Sequence, residues 1–262
     1  MYKTGEIISN RCLKGDYYQV VFYAPEIAAK AQAGQFVHVQ IANMSANILR
    51  RPFSINNTDP VNGTVQVTYK VVGSGTEVLS KLSAGAVCDL LGPLGNGYKL
   101  PADDEIPVMI AGGYGTAAMF MISKLAKNKG ILLAGARSDA DLILLEDYAA
   151  LGCEVKAATN DGSVGVKGFV TLLLDDILKN PAPGAKYRFY ACGPTPMLMA
   201  TGQMLCAADR ADGELSLDHV MCCGVGACFA CVVKVKDGDS FRYARSCSEG
   251  PVFTAGEVYY EN

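Results

Sequence analysis

The sequence is poor in the features that mark nucleic-acid-binding, secreted and membrane proteins. Tryptophan is absent, histidine occurs twice, and 23 Lys and Arg against 26 Asp and Glu leave a net charge of −3. No segment carries a stripe of Lys or Arg, so there is no electrostatic case for nucleic acid. No apolar run of the signal-peptide type follows Met1. One long uncharged stretch, residues 106–123, is interrupted by Gly112, Gly113 and Gly115, which favours a strand, turn and helix over a membrane span.

Cysteine, in contrast, is abundant, with ten residues in 262. A disulfide framework is typical of small secreted chains, and this chain is neither small nor visibly secreted. We therefore expect a reduced, cytoplasmic protein with one metal site. Five cysteines fall between Cys222 and Cys247, and the others are scattered among apolar neighbours, at Cys12, Cys88, Cys153, Cys192 and Cys206.

Four of the clustered cysteines have the spacing of plant-type ferredoxin ligands. Cys223 is followed by four residues and Cys228, then by two residues and Cys231, and Cys247 comes later. This pattern predicts a [2Fe–2S] cluster on these four thiolates. The fourth ligand is expected on a separate strand, after a hairpin through residues 237–239.

Glycines in the same loop support this prediction. Gly224 and Gly226 lack a Cβ, so they can adopt positive φ and bring backbone N–H groups close to the sulfurs. Structural zinc would favour two C-x2-C pairs, and only one is present. A Rieske centre would need two histidine ligands where four spaced cysteines suffice. Cys222 is interpreted as a packed neighbour, because a spacing of four intervening residues before Cys228 selects Cys223.

Two different hydrophobic patterns precede the cysteines. Up to about residue 100, short alternating runs separated by Gly, Pro and Asn predict an antiparallel β-barrel or sandwich. From residue 101, buried strand types alternate with helical patterns, which indicates a parallel α/β sheet. The expected organisation is a β domain at 1–100, an α/β domain at 101–211 and a small cysteine-bearing domain at 212–262. The expected strands lie at 6–9, 17–22, 35–41, 64–70, 107–111, 130–135, 153–158 and 187–192.

Candidate nucleotide-binding residues lie in both of the first two units. Arg51, at the end of a β run, could pair with a pyrophosphate, and Ser54 could contact a flavin edge. These four residues taken alone favour a surface Arg before a turn, and it is the order of barrel, nucleotide fold and cluster that supports the flavin interpretation. Residues 73–76 predict a helix start suited to phosphate. The turn at residues 112–115 follows a strand, and Cys192 ends another, which is where open α/β sheets bind ligands. His38 is interpreted as structural.

Taken together, these motifs resemble the electron-transfer subunit family of class 1B dihydroorotate dehydrogenase, within the ferredoxin-reductase-like flavoproteins, and the resemblance covers essentially the whole chain. The cysteine motif with residues 250–253 is its most specific part. The other matching segments are residues 51–54, Lys70 with Gly75 and Thr76, residues 92–97, the Gly112 turn, residues 159–163 and residues 192–194.

The resemblance implies FAD in the N-terminal barrel, NAD(H) on the α/β domain, and an FMN-containing catalytic partner, two copies of each, in pyrimidine (UMP) biosynthesis. The chain would not oxidise dihydroorotate alone. Ser54 and Cys192 would lie at the reacting centre. The implied FAD contacts are Arg51, Pro52, Phe53, Ser54, Thr68, Tyr69, Lys70, Gly75 and Thr76, and the implied NAD(H) contacts are Gly112, Gly113, Gly115, Cys192, Gly193 and Pro194.

Some positions depart from the family pattern and keep alternatives open. Tyr114 stands where a glycine is usual, Ala118 where a proline is usual, and Asn160 where an acid is usual. One alternative is the small flavin subunit of a bifurcating NADH-dependent ferredoxin:NADP⁺ oxidoreductase, which usually has Asp in place of Cys223. Another is an iron–sulfur carrier or sensor with a degenerate nucleotide site.

The choice of coenzyme is predicted from charges after the second α/β strand. Arg137 and Ser138 lie where a 2′-phosphate could bind, but Asp139 and Asp141 follow closely and would repel it. The sequence therefore favours NADH over NADPH.

Overall fold

The computed structural model describes residues 2–42, 49–217 and 220–260. Within them the chain forms a closed barrel, a seven-stranded sheet and a two-stranded hairpin. His219 lies outside the described residues. No helix within the described ranges is long and apolar enough to cross a bilayer.

The N-terminal unit is a closed antiparallel barrel, as predicted. Its strands are ordered β1-β2-β5-β4-β3-β6. Side chains alternate between its interior and exterior: Val37 and Val39 of β3 lie in the barrel core, while Phe36 points to the opposite side. The bounds are β1 Tyr2–Lys14, β2 Tyr17–Tyr23, β3 Phe36–Gln40, β4 Arg51–Asp59, β5 Thr64–Lys70 and β6 Val87–Leu94, with helices α1 Pro25–Ala28 and α2 Ser74–Ser80 between them.

Strand β4 corrects one expectation. Arg51 does not end a β run; it begins β4, opposite Val39 of β3. Strand β6 was not expected either. Both strands contain residues that are depleted in sheets, Pro52 with Asn56 and Asn57 in β4 and Gly92-Pro93 in β6, so their pattern in the sequence is weak. Pairing with neighbouring strands overrides that weakness.

The second sheet has the order β10-β9-β8-β7-β11-β12-β15 and is parallel except for β15. The chain runs outward from β7 and returns to β11 on its other side, which places a topological switch point between these two strands. The bounds are β7 Glu105–Gly112, β8 Ile131–Ala136, β9 Glu154–Thr159, β10 Val166–Lys167, β11 Lys186–Cys192, β12 Glu214–Ser216 and β15 Val252–Thr254.

The helices of this unit follow the strands. The expected single helix after the Gly112 turn is divided at Met119, whose φ of −105° and ψ of −2° depart from helical geometry. The bounds are α3 Gly115–Ala118, α4 Phe120–Leu125, α5 Leu145–Ala150, α6 Thr171–Lys179 and α7 Thr195–Ala207, with a 3₁₀ helix at Asp139–Asp141.

The C-terminal segment is tied into the second sheet. Strands β12 and β15 extend the sheet, while β13 (Val232–Asp237) and β14 (Ser240–Arg245) form the predicted hairpin. Gly238 in its turn has φ +57°. The prediction that Cys247 lies on a separate strand is wrong: Cys247 lies in the turn after β14. The N–H of Ser246 there donates to the Cys231 carbonyl at 2.9 Å, which holds the two cysteines together.

Two shared cores join the units. One apolar core includes Val37 of the barrel together with Met109 and Ala111 of β7. A smaller cluster joins Phe36 of the barrel to Met221, Cys231 and Cys247. The barrel, the parallel sheet and the cysteine segment therefore pack directly on one another.

Candidate cofactor sites

The cysteine loop directs backbone donors at thiols. The N–H groups of Val225 and Ala227 donate to Cys223 Sγ at 3.5 and 3.3 Å, and the N–H of Gly226 donates to Cys247 Sγ at 3.2 Å. Gly224 and Gly226 have φ of +71° and +80°, as predicted, a backbone region that favours glycine. The loop is thus folded as a cradle of N–H groups, which is the environment that iron–sulfur ligands use.

The four candidate ligands lie at different depths. Cys231 and Cys247 are each 2% exposed, whereas Cys228 is exposed and Cys223 is intermediate. Burial opposes ionisation of Cys223, but N–H donors from Val225 and its neighbours lower its pKa to about 6. Burial and the adjacent Cys231 thiol raise the pKa of Cys247 to about 11. A group bound here would have a buried side and a side near solvent.

Thiol contacts in the segment include the fifth cysteine. Cys223 lies beside Cys228, and Cys247 lies beside Cys231. Cys222 also lies beside Cys228, and burial followed by this neighbour raises its pKa. Among the described residues, no three Cys, His, Asp or Glu side chains converge on a single-ion position. A two-iron cluster on four cysteines needs two thiolates at each iron, so the paired arrangement fits it.

Arg245 stabilises this loop through three contacts. It donates to the Gly226 carbonyl at 3.2 Å, forms an ion pair with Glu249 at 3.1 Å, and lies 5.1 Å from the ring centre of Phe229. Phe229 has φ +58°, which is uncommon for a bulky residue. The Ser246 hydroxyl donates to the Leu217 carbonyl at 2.7 Å. These contacts hold the turn of Cys247 against the loop of Cys223.

A second candidate site is an open cleft of about 210 Å³ between the barrel and the Gly112 turn. Phe53 and Tyr69, with ring centres 5.7 Å apart, supply aromatic surface, which suits a flavin ring. The cleft brings together most of the residues implied for FAD with Cys192; its lining is Pro52, Phe53, Ser54, Thr68, Tyr69, Lys70, Val72, Thr76, Tyr114, Gly115, Ala117, Ala118 and Cys192.

Arg51 and Gly75, which come from different elements, meet beside the cleft. A Cβ on Gly75 would lie 2.5 Å from Arg51 Nε, so glycine at this position makes room for the guanidinium. The Thr76 hydroxyl is used by the chain itself: it accepts from the N–H of Val72 at 2.9 Å and donates to the Gly73 carbonyl at 3.0 Å. Arg51 thus lies against the start of α2, and its pairing with a phosphate there stays a prediction.

Lys70 has a partner in the α/β unit. It forms an ion pair with Asp141 at 2.7 Å, and the Tyr17 hydroxyl donates to the same carboxylate at 2.8 Å. The hydrogen bond from Lys70, and to a smaller extent that from Tyr17, holds the pKa of Asp141 below its usual value. Asp139 likewise pairs with Lys14 at 2.9 Å. Because both carboxylates are neutralised by lysines, repulsion of a 2′-phosphate is weaker than the sequence indicates, and the choice of NADH stays a prediction.

The glycines at the switch point pack two turns against each other. A Cβ on Gly112 would lie 2.6 Å from Pro194 Cδ, and one on Gly115 would overlap the Cys192 carbonyl. Gly193 has φ +159° and approaches Gly112. The predicted nucleotide residues thus meet at the carboxyl ends of β7 and β11, although among them only Gly115 and Cys192 line the cleft.

Several neighbours of these sites were missed by sequence reasoning. Asn56 is 1% exposed; its amide donates to the Ala117 carbonyl at 3.1 Å and so ties β4 to α3. His38, which the sequence analysis interprets as structural, is fully buried, and burial, followed by the charge of Arg50, lowers its pKa to about 4. At Asn56, an amide side chain following Ile55 was the available signal in the sequence. The cleft-lining residues Val72, Ala117 and Ala118 carry no such signal.

Removing the Arg51 side chain should weaken FAD retention. A charge-assisted hydrogen bond contributes about 1.5–3 kcal/mol, so Arg51→Ala should raise the FAD dissociation constant roughly 10- to 100-fold. FAD content after dialysis and titration of the apoprotein measure this. Arg50→Ala is the matched control, because Arg50 donates to the Asp89 carbonyl and lies over Tyr2, away from the cleft. Equal retention by the two variants would contradict the assignment.

Comparison with known proteins bears on both sites. A family model described as the iron–sulfur cluster binding domain of dihydroorotate dehydrogenase B matches residues 218–259. The dihydroorotate dehydrogenase B (NAD(+)) electron transfer subunit of Desulforamulus reducens is 38% identical over 248 residues, 93% of each chain. That of Geobacillus kaustophilus is 36% identical over 264 residues, covering 96% of each chain.

Solved structures agree on the fold. A structure of NADH-dependent reduced ferredoxin-NADP oxidoreductase, from work on flavin-based electron bifurcation, has a TM-score of 0.82 at 27% identity and covers 98% of this chain and 90% of that chain. A ferredoxin NADP⁺ reductase from Neisseria gonorrhoeae with bound FAD and NADP has a TM-score of 0.65 at 19% identity, covering 79% of this chain and 91% of that chain, which shows a shared fold.

Proposed function

This chain belongs to the family of dihydroorotate dehydrogenase B (NAD⁺) electron transfer subunits, and from that premise we propose that it passes electrons from an FMN-containing catalytic subunit to NAD⁺, in a complex with two copies of each subunit. The overall reaction takes dihydroorotate and NAD⁺ to orotate, NADH and a proton. Two electrons leave the substrate and two arrive on the nicotinamide, so the balance closes.

The residues divide among three cofactors and three units. In residues 1–100, Arg51, Gly75 and Thr76 would hold the FAD phosphates, while residues 52–54 and 68–70 would hold its ring. In residues 101–211, the Gly112 turn and residues 192–194 would hold NAD(H). In residues 212–262, Cys223, Cys228, Cys231 and Cys247 would hold the cluster. When bound, the cluster exchanges single electrons and FAD converts these to hydride transfer.

One observation carries the proposal: a single cross-strand pair connects the two candidate sites. Ser54 lines the cleft and pairs with Phe36 on the neighbouring strand. Phe36 packs against Cys231 and Cys247. Directly opposed residues in antiparallel strands have Cα atoms about 4.5–5.5 Å apart. Because directly opposed residues place their side chains on the same face of a sheet, Ser54 and Phe36 lie on one face of the barrel wall. The proposed flavin and cluster sites would therefore lie next to each other on that face, a layout suited to electron transfer between them.

The chain's own residues position cofactors and exclude competing chemistry. Ser54 and Cys192 face the same cleft, where they would orient the reacting flavin and nicotinamide. Asn56 and the Lys70–Asp141 ion pair hold the barrel against the α/β unit, so the width of the cleft is set by contacts between the units. Oxidising dihydroorotate needs a base beside an oxidant. We assign that site to the catalytic partner.

The partner is proposed to dock at the cluster loop. Val225 and Phe229 are 56% and 61% exposed on either side of Cys228, which is itself exposed. Exposed apolar groups beside a redox site are typical of an interaction surface. The thiols on this side are those that reach solvent, so a donor bound there would be close to the cluster.

The isolated chain should reduce artificial acceptors with NADH and yet show no dihydroorotate-dependent bleaching of flavin or cluster. Adding the FMN-containing subunit should produce bleaching by dihydroorotate, followed by NADH formation when NAD⁺ is supplied. Anaerobic stopped-flow spectra of the chain with and without the partner measure this. Reduction of the pure chain by dihydroorotate at a catalytic rate would refute the proposal.

A second candidate keeps support from one observation, the 0.82 TM-score and 98% coverage against NADH-dependent reduced ferredoxin-NADP oxidoreductase. This second function differs from the first in its redox partners, because the electron donor would be reduced ferredoxin and the acceptor NADP⁺. Catalytic reduction of the flavin by ferredoxin, with no response to dihydroorotate plus partner, would favour it.

A further inference from the structure

His38 is a buried polar side chain at the junction between the barrel and the cysteine loop. It lies on β3 on the same face as Phe36, with ring centres 5.6 Å apart, and so points out of the barrel. It is 0% exposed. Neither Nδ1 nor Nε2 has a hydrogen-bond partner in the part of the chain that the structure describes. Buried polar atoms are rarely left unpaired, so a missing partner calls for an explanation.

The edge of the imidazole faces the loop that follows Cys223. A Cβ built on Gly224 would lie 2.8 Å from both Nδ1 and Cε1 of His38 and 3.1 Å from Nε2. Glycine at this position, with φ +71°, lets the ring approach the loop backbone. Any larger residue would push His38 away from the loop.

Among the described residues, the groups next to His38 supply no acceptor. Phe36 is apolar, and the strand neighbours in register are Pro52 and Leu91. The guanidinium of Arg50, whose charge acts on His38, is a donor only. A neutral imidazole carries one N–H donor and one acceptor. Since the described residues offer the donor no partner, a group bound in the loop would supply one.

We propose that His38 is a positioning residue for the cluster, donating its ring N–H to a sulfur on the Cys223 side of the bound group and thereby raising the cluster's reduction potential. This inference rests on the proposed function, because it requires a cluster at Cys223. Hydrogen bonds to the sulfurs are among the factors that set the potentials of iron–sulfur clusters. A donor stabilises the more negative, reduced state, so its removal lowers the potential.

The test compares cluster potentials in holoprotein variants by EPR-monitored redox titration. His38→Leu removes the donor at similar size, and His38→Gln keeps an N–H donor. In the His38→Leu variant, the equilibrium between oxidised and reduced cluster should shift about tenfold toward the oxidised form. For a one-electron couple this corresponds to a reduction potential about 59 mV below that of the wild type. His38→Gln should restore most of the difference. Phe36→Leu, on the same face and next to Cys231 and Cys247, is the packing control and should shift the potential less. Equal potentials in wild type and His38→Leu would overturn the proposal.

A labelling experiment keeps the test decisive if His38→Leu fails to load a cluster. The chain has only His38 and His219, so ¹⁵N-histidine labelling is simple to assign. Pulsed EPR of the reduced wild-type cluster should show a weak histidine nitrogen coupling that persists in His219→Ala. Absence of that coupling, with iron content and the visible spectrum intact, rejects the role of His38 alone. Absence of the cluster itself would instead reject the proposed function.

Discussion

Cys223→Ser is expected to abolish the visible and EPR signals of the cluster, whereas Cys222→Ser should leave them nearly intact. The two thiols are adjacent in sequence but differ in surroundings. Cys223 accepts N–H bonds from Val225 and Ala227, and its pKa is lowered to about 6, which favours the thiolate that binds metal. The pKa of Cys222 is raised instead. Serine cannot supply a thiolate, so only the first substitution should remove a ligand.

The same variants separate the roles of the two sites. Cys223→Ser with the partner subunit should lose transfer from dihydroorotate to NAD⁺, while transfer from NADH to an artificial acceptor should continue, because the flavin cleft is not altered. Iron content, spectra and both rates should be measured on the same preparations. Because Cys222 also lies beside Cys228, the reverse pattern would shift the ligand set by one residue and show that spacing was misleading.

Gly115→Ala is expected to lower the rate of flavin reduction by NADH on the order of 100-fold, the loss that a displacement of about 1 Å can cause at a reacting centre. The new Cβ would overlap the Cys192 carbonyl, and a backbone group cannot rotate away as a side chain can. The turns carrying Gly115 and Cys192 would have to separate. Both residues line the cleft, so their separation should disturb the nicotinamide more than FAD.

Stopped-flow reduction by NADH, together with FAD content and thermal unfolding, tests this prediction. Gly73→Ala is the matched control, because its backbone is extended and a Cβ there meets nothing within 4 Å. The control should retain the wild-type reduction rate. A normal rate in Gly115→Ala would mean that the two turns are not held in contact during catalysis.

Structural features that depend only on residues close together in the chain could be predicted from the sequence. The spacing of Cys223, Cys228 and Cys231 and the glycines between them lie within nine residues, and their positive φ was predictable because only a few residue types tolerate it. The Asp237–Ser240 hairpin is local in the same sense. Strands β4 and β6 could not be predicted in this way, since their formation depends on partner strands that are distant in the chain.

The partners of charged and polar groups could not be predicted from the sequence, for the same physical reason. Asp139 and Asp141 look like free carboxylates in sequence, yet Lys14 and Lys70 of the barrel neutralise them from more than sixty residues away. The Thr76 hydroxyl closes the start of α2, so a phosphate contact there would use the backbone N–H groups that the sequence predicts for it. Charge and hydrogen-bonding capacity can be counted from a sequence, whereas their partners are set by packing.

The sequence by itself determined the iron–sulfur chemistry of this protein, because four thiols at ferredoxin spacing form a short motif whose function is local. The glycine turn and the Arg-Pro-x-Ser segment indicated FAD and NAD(H) only through the resemblance of the whole chain. Only the tertiary structure decided how the sites are connected. It brought Arg51 to Gly75, opposed Gly112 with Pro194, and placed Phe36 and His38 between the barrel and the cysteine loop. Those contacts join residues far apart in the chain, so they depend on how the barrel, the parallel sheet and the cysteine segment pack on one another and not on any local pattern.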